Sequence, residues 1–484
     1  MGIIKKVIGA SAIIIIANGL NRLFTIFAAP ILTRVLGPEP YGVMALVGTA
    51  TSLASTLSLV GIDMGYVRFY FSKTIVTSQA VENFCWRYAI FSSVIVGILS
   101  IFLWQILLGK PYNNFFLALI VGLTIILFVA NTMSQTGARL REKYRRIGLA
   151  IIASGISATL ITIVLATQWR DDEWPLLIGF TFGILMSFAI TGLPKGNSFA
   201  RPSGLTTREK WSIVRLGLPG LVTGVMYWIL SSSDRWFLTH FWGEQIVGIY
   251  SFAYNVAIIG IIVNSAMVLT WFPESIRTYE KDSQGASRVL GEVWGGLALL
   301  LCLVWLMIAS LGGDAIRLLA DVRFHGGAAY VPWIAGGVYF YGMAQLASTG
   351  LLISKNMNPV ANFWLLGGVL NIISNYFAIQ LWGAYGAAVI NCISFGFIYF
   401  GVMWKSSRCF NLTLAWVKLL LAAVVVLMCG VIMSRPWYDY PLLSICFKLP
   451  IYVIICLFLT RLILPGWVSQ IKIRLAKIVD GKQY

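Results

Sequence analysis

The chain alternates long apolar stretches with short polar breaks from end to end. At roughly 20 apolar residues per crossing, about fourteen membrane-spanning helices fit. The first six run near 7–32, 41–62, 84–108, 114–135, 147–168 and 174–193. A polar connector follows, rich in Gly, Ser, Thr, Lys and Arg. Six further helices lie near 212–236, 246–271, 290–311, 331–353, 360–381 and 383–404, and a last pair near 413–433 and 443–464. This pattern predicts an all-α integral membrane protein with an N-terminal six-helix lobe (1–193), a cytoplasmic connector (194–211), a C-terminal six-helix lobe (212–404), and two extra helices with a basic tail (405–484).

The first helix breaks its own apolar run. Asn18, Asn21, Arg22 and Thr25 are spaced to share one face of an α-helix. A guanidinium at that depth costs roughly 2.5–3.5 kcal/mol, so it should face protein or water and not lipid. The same region returns later in the chain. Leu32-Thr33-Arg34-Val35-Leu36-Gly37 with Gly42 matches Leu238-Thr239-His240-Phe241-Trp242-Gly243 with Gly248, at a constant offset of 206. Six predicted spans separate the copies, and six is even, so both copies cross in the same direction. The two lobes are expected to be parallel repeats about an axis along the membrane normal, with a central cavity.

Composition agrees with a membrane setting. Hydrophobic residues make up 58% and charged residues 11%, too few charges to cover a soluble surface of this size. The net charge of +18 falls in short clusters between apolar runs, which is the positive-inside pattern and not a nucleic-acid footprint. With the amino terminus inside, 27 of the 36 Lys and Arg lie on the inner side and 8 on the outer, with Arg22 in the membrane. Both termini are then cytoplasmic. The basic amino terminus with its Ile-rich run has the look of a signal peptide, but its polar face and downstream echo make it a retained first span. The seven cysteines form no C-x-x-C pair and read as buried thiols.

Other spans carry polar positions too. Ser52, Ser55 and Thr56 lead to Asp63, with Arg68 close behind; Thr223, Tyr227 and Ser231 lead to Asp234 and Arg235; Asn255 and Asn264 follow, then Asn371, Ser374 and Asn375. Single Ser, Thr or Asn residues serve mainly as interhelical hydrogen-bond glue. Arg22 has two readings: a charge in the cavity, or an ion pair with Asp63. Asp234 and Arg235 read either as functional or as a local pair at the rim. His240 and His325 fall in outer loops, and Asp171-Asp172-Glu173 in a solvated outer turn. No P-loop, H-x-x-x-H or G-x-S-x-G occurs, so no catalytic site or cofactor is expected.

The stretch from Asn21 to Gly42, followed by G-I-D-M-G-Y-V-R-F (Gly61 to Phe69), S-S-D-R-W-F-L (Ser232 to Leu238) and G-E-Q-I-V-G-I-Y-S-F-A-Y (Gly243 to Tyr254), is similar to the polysaccharide-transport branch of the multidrug/oligosaccharidyl-lipid/polysaccharide exporter superfamily, which includes the Wzx-type O-antigen flippases. Ala328 to Ile334, Asn371 to Asn375 and Gly383 to Ala388 extend the likeness over nearly the whole chain. The resemblance implies a flippase moving a polyprenyl-pyrophosphate-linked oligosaccharide, an O-antigen or exopolysaccharide repeat unit, across the inner membrane by alternating access. Its partners would be the lipid-linked oligosaccharide, membrane lipid, a coupling ion (H+ or Na+) and other polysaccharide-assembly proteins. The expected cavity residues are Asn18, Asn21, Arg22, Thr25, Asp63, Arg68, Tyr227, Asp234, Arg235 and Asn255, with Arg22 facing the pyrophosphate. Alternatives are a cation-coupled multidrug exporter or a peptidoglycan-precursor flippase of the same fold and, in another class, a membrane-bound polysaccharide polymerase or glycosyltransferase.

Overall fold

A computed structural model describes residues 2–71, 78–108, 115–169, 172–193, 204–282, 285–410 and 416–463. Residues 194–203 of the predicted connector, Asp171, and the basic tail from 464 lie outside the described residues. In chain order the helices are α1 (Gly2–Leu36), α2 (Pro38–Leu59), α3 (Ile62–Tyr70), α4 (Ser78–Leu108), α5 (Phe115–Leu140), α6 (Tyr144–Gln168), α7 (Trp174–Thr191), α8 (Thr207–Trp242), α9 (Glu244–Ala257), α10 (Ile261–Lys281), α11 (Ala286–Leu319), α12 (Val331–Ala347), α13 (Thr349–Ile353), α14 (Asn358–Cys409), α15 (Trp416–Ser434) and α16 (Pro441–Ile463).

Among the described residues, twelve helices are long and apolar enough to cross a membrane. One of them, α14, is 52 residues long and breaks at Gly383, whose φ of 55 and ψ of −137 no helix contains, so it supplies two crossings. Helices α12 and α13 together supply another. All fourteen predicted spans are therefore present, and the chain is a multi-pass integral membrane protein. The described chain clusters into two compact units, Met1–Trp236 and Phe237–Tyr484.

The sequence repeat has a backbone counterpart. Gly37 ends α1 and caps α2 with φ 74 and ψ −177, while Gly243 ends α8 and caps α9 with φ 79 and ψ 174. A side chain is not tolerated in that region of backbone space, so both long helices stop where a glycine stands. Leu32 and Leu238 are buried before each break, and Gly42 and Gly248 after it.

In unit 1, small residues let helices close on one another, as packing in lipid favours. A Cβ at Gly179 of α7 would sit 2.1 Å from Thr162 Oγ1 of α6, and one at Gly183 would sit 2.8 Å from the Ser154 carbonyl. A Cβ at Gly148 of α6 would lie 2.8 Å from Ile13 of α1. Val60 and Gly61 both take left-handed backbone (φ 49 and 72) and turn α3 off the end of α2.

In unit 2, α11 continues to Leu319 where an outer loop from Gly312 to Tyr330 is predicted. The remainder is a short 3-10 segment, Val322–Ala329, capped by Asp321, which accepts from the Arg323 backbone N–H. Hydrogen bonds from Arg323 hold the Asp321 carboxyl below the usual carboxylate range. The extension of α11 buries Asp314. Its Oδ2 accepts from Lys448 Nζ of α16 at 2.5 Å, and both side chains are fully buried. Lys448 also donates to the Arg435 carbonyl at 2.9 Å. Arg317 donates to the carbonyls of Tyr438 and Asp439, at 3.1 and 3.4 Å. Helix α16 is thus fastened to α11 by a dry ion pair.

Breaking a buried pair by removing one partner costs about 3–5 kcal/mol, because the other charge is left uncompensated. Asp314→Leu and Lys448→Met should each lower the unfolding temperature in detergent and the steady-state abundance. The double variant should recover most of both losses, and an additive double loss would contradict the pairing.

Candidate functional site

Helix α1 is formed as expected, but its polar face divides. Asn18 is exposed and donates Nδ2–H to its own helix, at the Ile14 carbonyl, 2.8 Å away. Thr25, also exposed, donates to the Asn21 carbonyl at 3.3 Å. Asn21 turns instead into α6, where a Cβ at Gly155 would lie 1.9 Å from its Oδ1. Only a glycine accepts that approach, so Asn21 acts in helix packing. Arg22 is half-buried between these positions.

Asp63 and Arg68 sit on α3, a helix separate from α2. Asp63 is half-buried and Arg68 exposed, and neither makes an ion pair among the described residues. The Arg22–Asp63 pair considered from the sequence is therefore not formed. Ser52, Ser55 and Thr56 on α2 return their hydroxyls to their own helix, at the carbonyls of Thr49 and Ser52. Thr49 in turn receives two indoles from α8: Trp228 Nε1 donates to its carbonyl at 2.8 Å and Trp236 Nε1 to its hydroxyl at 3.1 Å.

On α8, Tyr227 is half-buried and its carbonyl accepts from Ser231 at 2.8 Å. Asp234 and Arg235 are buried, and their side chains pair at 3.3 Å. Arg235 NH1 also donates to the Ser231 carbonyl at 2.7 Å. This is the local pair that the sequence allowed, buried in the protein. His240 stands in the last turn of α8, its ring centroid 4.8 Å from that of Phe241. Nine of the ten predicted positions lie in unit 1. Asn255 lies in unit 2, exposed on α9 without a hydrogen bond among the described residues.

Two polar clusters escaped sequence reasoning in whole or in part. In unit 1, Glu82 of α4 is 4% exposed and pairs at 2.7 Å with Arg141, in the turn just after α5. Tyr66 of α3 is buried beside them, its hydroxyl and Arg141 both close to Gly137. The only signal was an acid at the start of an apolar run, since Arg141 belongs to a basic stretch that reads as a solvated loop. In unit 2, Asn371 Nδ2 donates to Ser394 Oγ at 3.1 Å and Asn375 Nδ2 to Asn371 Oδ1 at 3.0 Å, linking the two halves of α14 across Gly383. Asn264 donates to the Val338 carbonyl at 2.8 Å. The asparagines were visible in the sequence; their partners were not. Among the described residues, no group of three or more His, Cys, Asp or Glu is placed to hold a metal ion.

The model of the family described as polysaccharide biosynthesis protein matches residues 9–278. No curated protein sequence matches the chain. Among solved structures, the chain is similar to the lipid II flippase MurJ in an inward closed conformation, with a TM-score of 0.71 at 16% identity, covering 92% of this chain and 98% of that one. It is also similar to an inward-facing multidrug resistance MATE family transporter (TM-score 0.58, 13% identity, 80% and 95% covered). A third likeness is to a transporter of the same superfamily from Pyrococcus furiosus (TM-score 0.53, 14% identity, 89% and 95% covered). These likenesses establish the fold. The family match runs over more than half of the 484 residues and includes the α1 polar face, the first glycine break and the α2–α3 turn, so the chain belongs to the polysaccharide biosynthesis protein family, on the fold of the multidrug/oligosaccharidyl-lipid/polysaccharide exporter superfamily.

Proposed function

We propose that this protein is a flippase that moves a polyprenyl-pyrophosphate-linked oligosaccharide, an O-antigen or exopolysaccharide repeat unit, from the cytoplasmic to the periplasmic leaflet by alternating access. The family match over 9–278 carries this reading. The chemistry of α1 supports it. A dianionic pyrophosphate leaving water loses much of its hydration, and a cation in a low-dielectric setting offsets that loss far better than one in solution. Arg22 is half-buried in a membrane helix, and its planar fork matches phosphate oxygens two at a time. Asn18 and Thr25, exposed on the same helix, add polar groups that a glycan can use. Arg68 and Tyr227 are proposed as further polar contacts for the cargo, Asp63, Asp234 and Arg235 as charges near it, and Asn255 of unit 2 as a polar contact in its own right.

The surroundings follow from charge placement. The 27-to-8 division of Lys and Arg supports a cytoplasmic (inner) membrane protein with both termini in the cytoplasm. A coupling ion, H+ or Na+, would drive the cycle. A second reading, a peptidoglycan-precursor flippase, is favoured by the likeness to MurJ; it shares the lipid pyrophosphate and differs in the glycan.

Arg22→Lys should keep partial flipping, whereas Arg22→Gln and Arg22→Ala should reduce it by about tenfold or more at unchanged abundance, the scale of one lost charge-assisted hydrogen bond. Wild-type export by a well-expressed Arg22→Ala variant would remove this role.

Deletion of the protein should make polyprenyl-linked oligosaccharide accumulate on the cytoplasmic side while surface polysaccharide is lost. Normal surface polysaccharide with new sensitivity to cationic dyes would point to drug export. Cysteines placed at Lys143 and Asp172 should label from opposite sides of the membrane, the first from the cytoplasm; labelling from one side would overturn the orientation.

A further inference from the structure

Helix α8 carries the start of the second repeat copy, yet its N-terminal half lies against α3, which belongs to the first, and both sides of this contact are in unit 1. The approach is close enough to exclude side chains. A Cβ at Gly61 would stand 2.2 Å from the Gly217 carbonyl oxygen, one at Gly217 would stand 2.3 Å from the Gly61 oxygen, and one at Gly65 would stand 2.6 Å from the Ile213 oxygen. The seam continues along α8: a Cβ at Gly220 would stand 2.9 Å from the Met64 sulfur, and one at Gly224 would stand 3.0 Å from the Thr56 methyl. Ile213 is fully buried there, in the same cluster as Ile62 and Tyr66. Further along α8, Trp228 and Trp236 hold Thr49 by hydrogen bonds.

We propose that this glycine seam is the inner closure of the transporter, shut in the structure described and required to part when the cytoplasmic side opens. Three observations carry it. The seam joins the two repeat copies, the contact that alternating access has to make and break. It is built from backbone and apolar atoms, so parting it strands no buried charge, whereas the Thr49 end is tied by two indole donors. It is also aimed by strained backbone: Val60, a β-branched residue, takes φ 49 immediately before Gly61 at φ 72. Such conformations collect at switch regions because only surrounding contacts maintain them. The proposal rests on the flippase reading for the identity of the cargo, not for the movement.

Two measurements test it, both in a background with the exposed Cys409 and Cys446 replaced by serine. Met64→Cys with Gly220→Cys, oxidised to a disulfide, should cut export by about tenfold or more, the effect of locking a required rearrangement, with recovery on reduction and near-normal export from each single variant. Independently of any cargo, spin labels at Phe71→Cys and Trp211→Cys, both exposed positions, should report two distance populations in the purified protein. Unchanged export by protein shown to be crosslinked, or one short distance under every condition, would make the seam static packing and overturn the proposal. Two distances, with no dependence of oligosaccharide export on the protein at all, would uphold the seam and reject the cargo.

Discussion

An unpaired charge is nearly intolerable in a hydrocarbon solvent, and this protein's buried polar architecture follows from that constraint. Asp314 with Lys448, Glu82 with Arg141, and Asp234 with Arg235 each bring opposite charges within hydrogen-bonding reach inside one unit. Such pairs add little stability over an apolar packing of equal volume, because desolvation consumes most of the attraction. What they add is specificity. A helix that must bury a lysine can dock only where a carboxylate waits, which fixes its neighbour, depth and rotation together.

Glycines supply the complementary constraint, by distance in place of charge. With little hydrophobic force between helices in lipid, close backbone approach and the dispersion it brings carry much of the association. The contacts at Gly155, Gly179, Gly183 and Gly217 each bring another residue's atoms to where a side chain would begin. Gly37 and Gly243 act differently, through backbone conformation, and end two long helices at equivalent points of the repeat.

The sequence exposed the parts of this design that are local. Every predicted crossing is present because a run of some twenty apolar residues is a property of consecutive positions. The repeat was legible because its glycines do the same backbone work in both copies. Side-chain partners were not legible. Glu82 and Arg141 are separated by 59 residues, and Asp314 and Lys448 by 134, so nothing near either member announces the other. Asp314 was further concealed by reading α11 as ending before it. On α1 the spacing put Asn21 beside Arg22, but only the facing Gly155 shows that Asn21 is used for packing.

The separation of Asp314 from Lys448 also orders events in time. A ribosome adding about 5–20 residues per second delivers the carboxylate to the membrane some ten seconds before its ammonium partner exists. Through that interval the α11 carboxyl lacks its partner, and the buried pair can form only once α16 arrives. Helix α16 thus completes a helix inserted long before it, and a nascent chain halted between the two carries an uncompensated acid in α11.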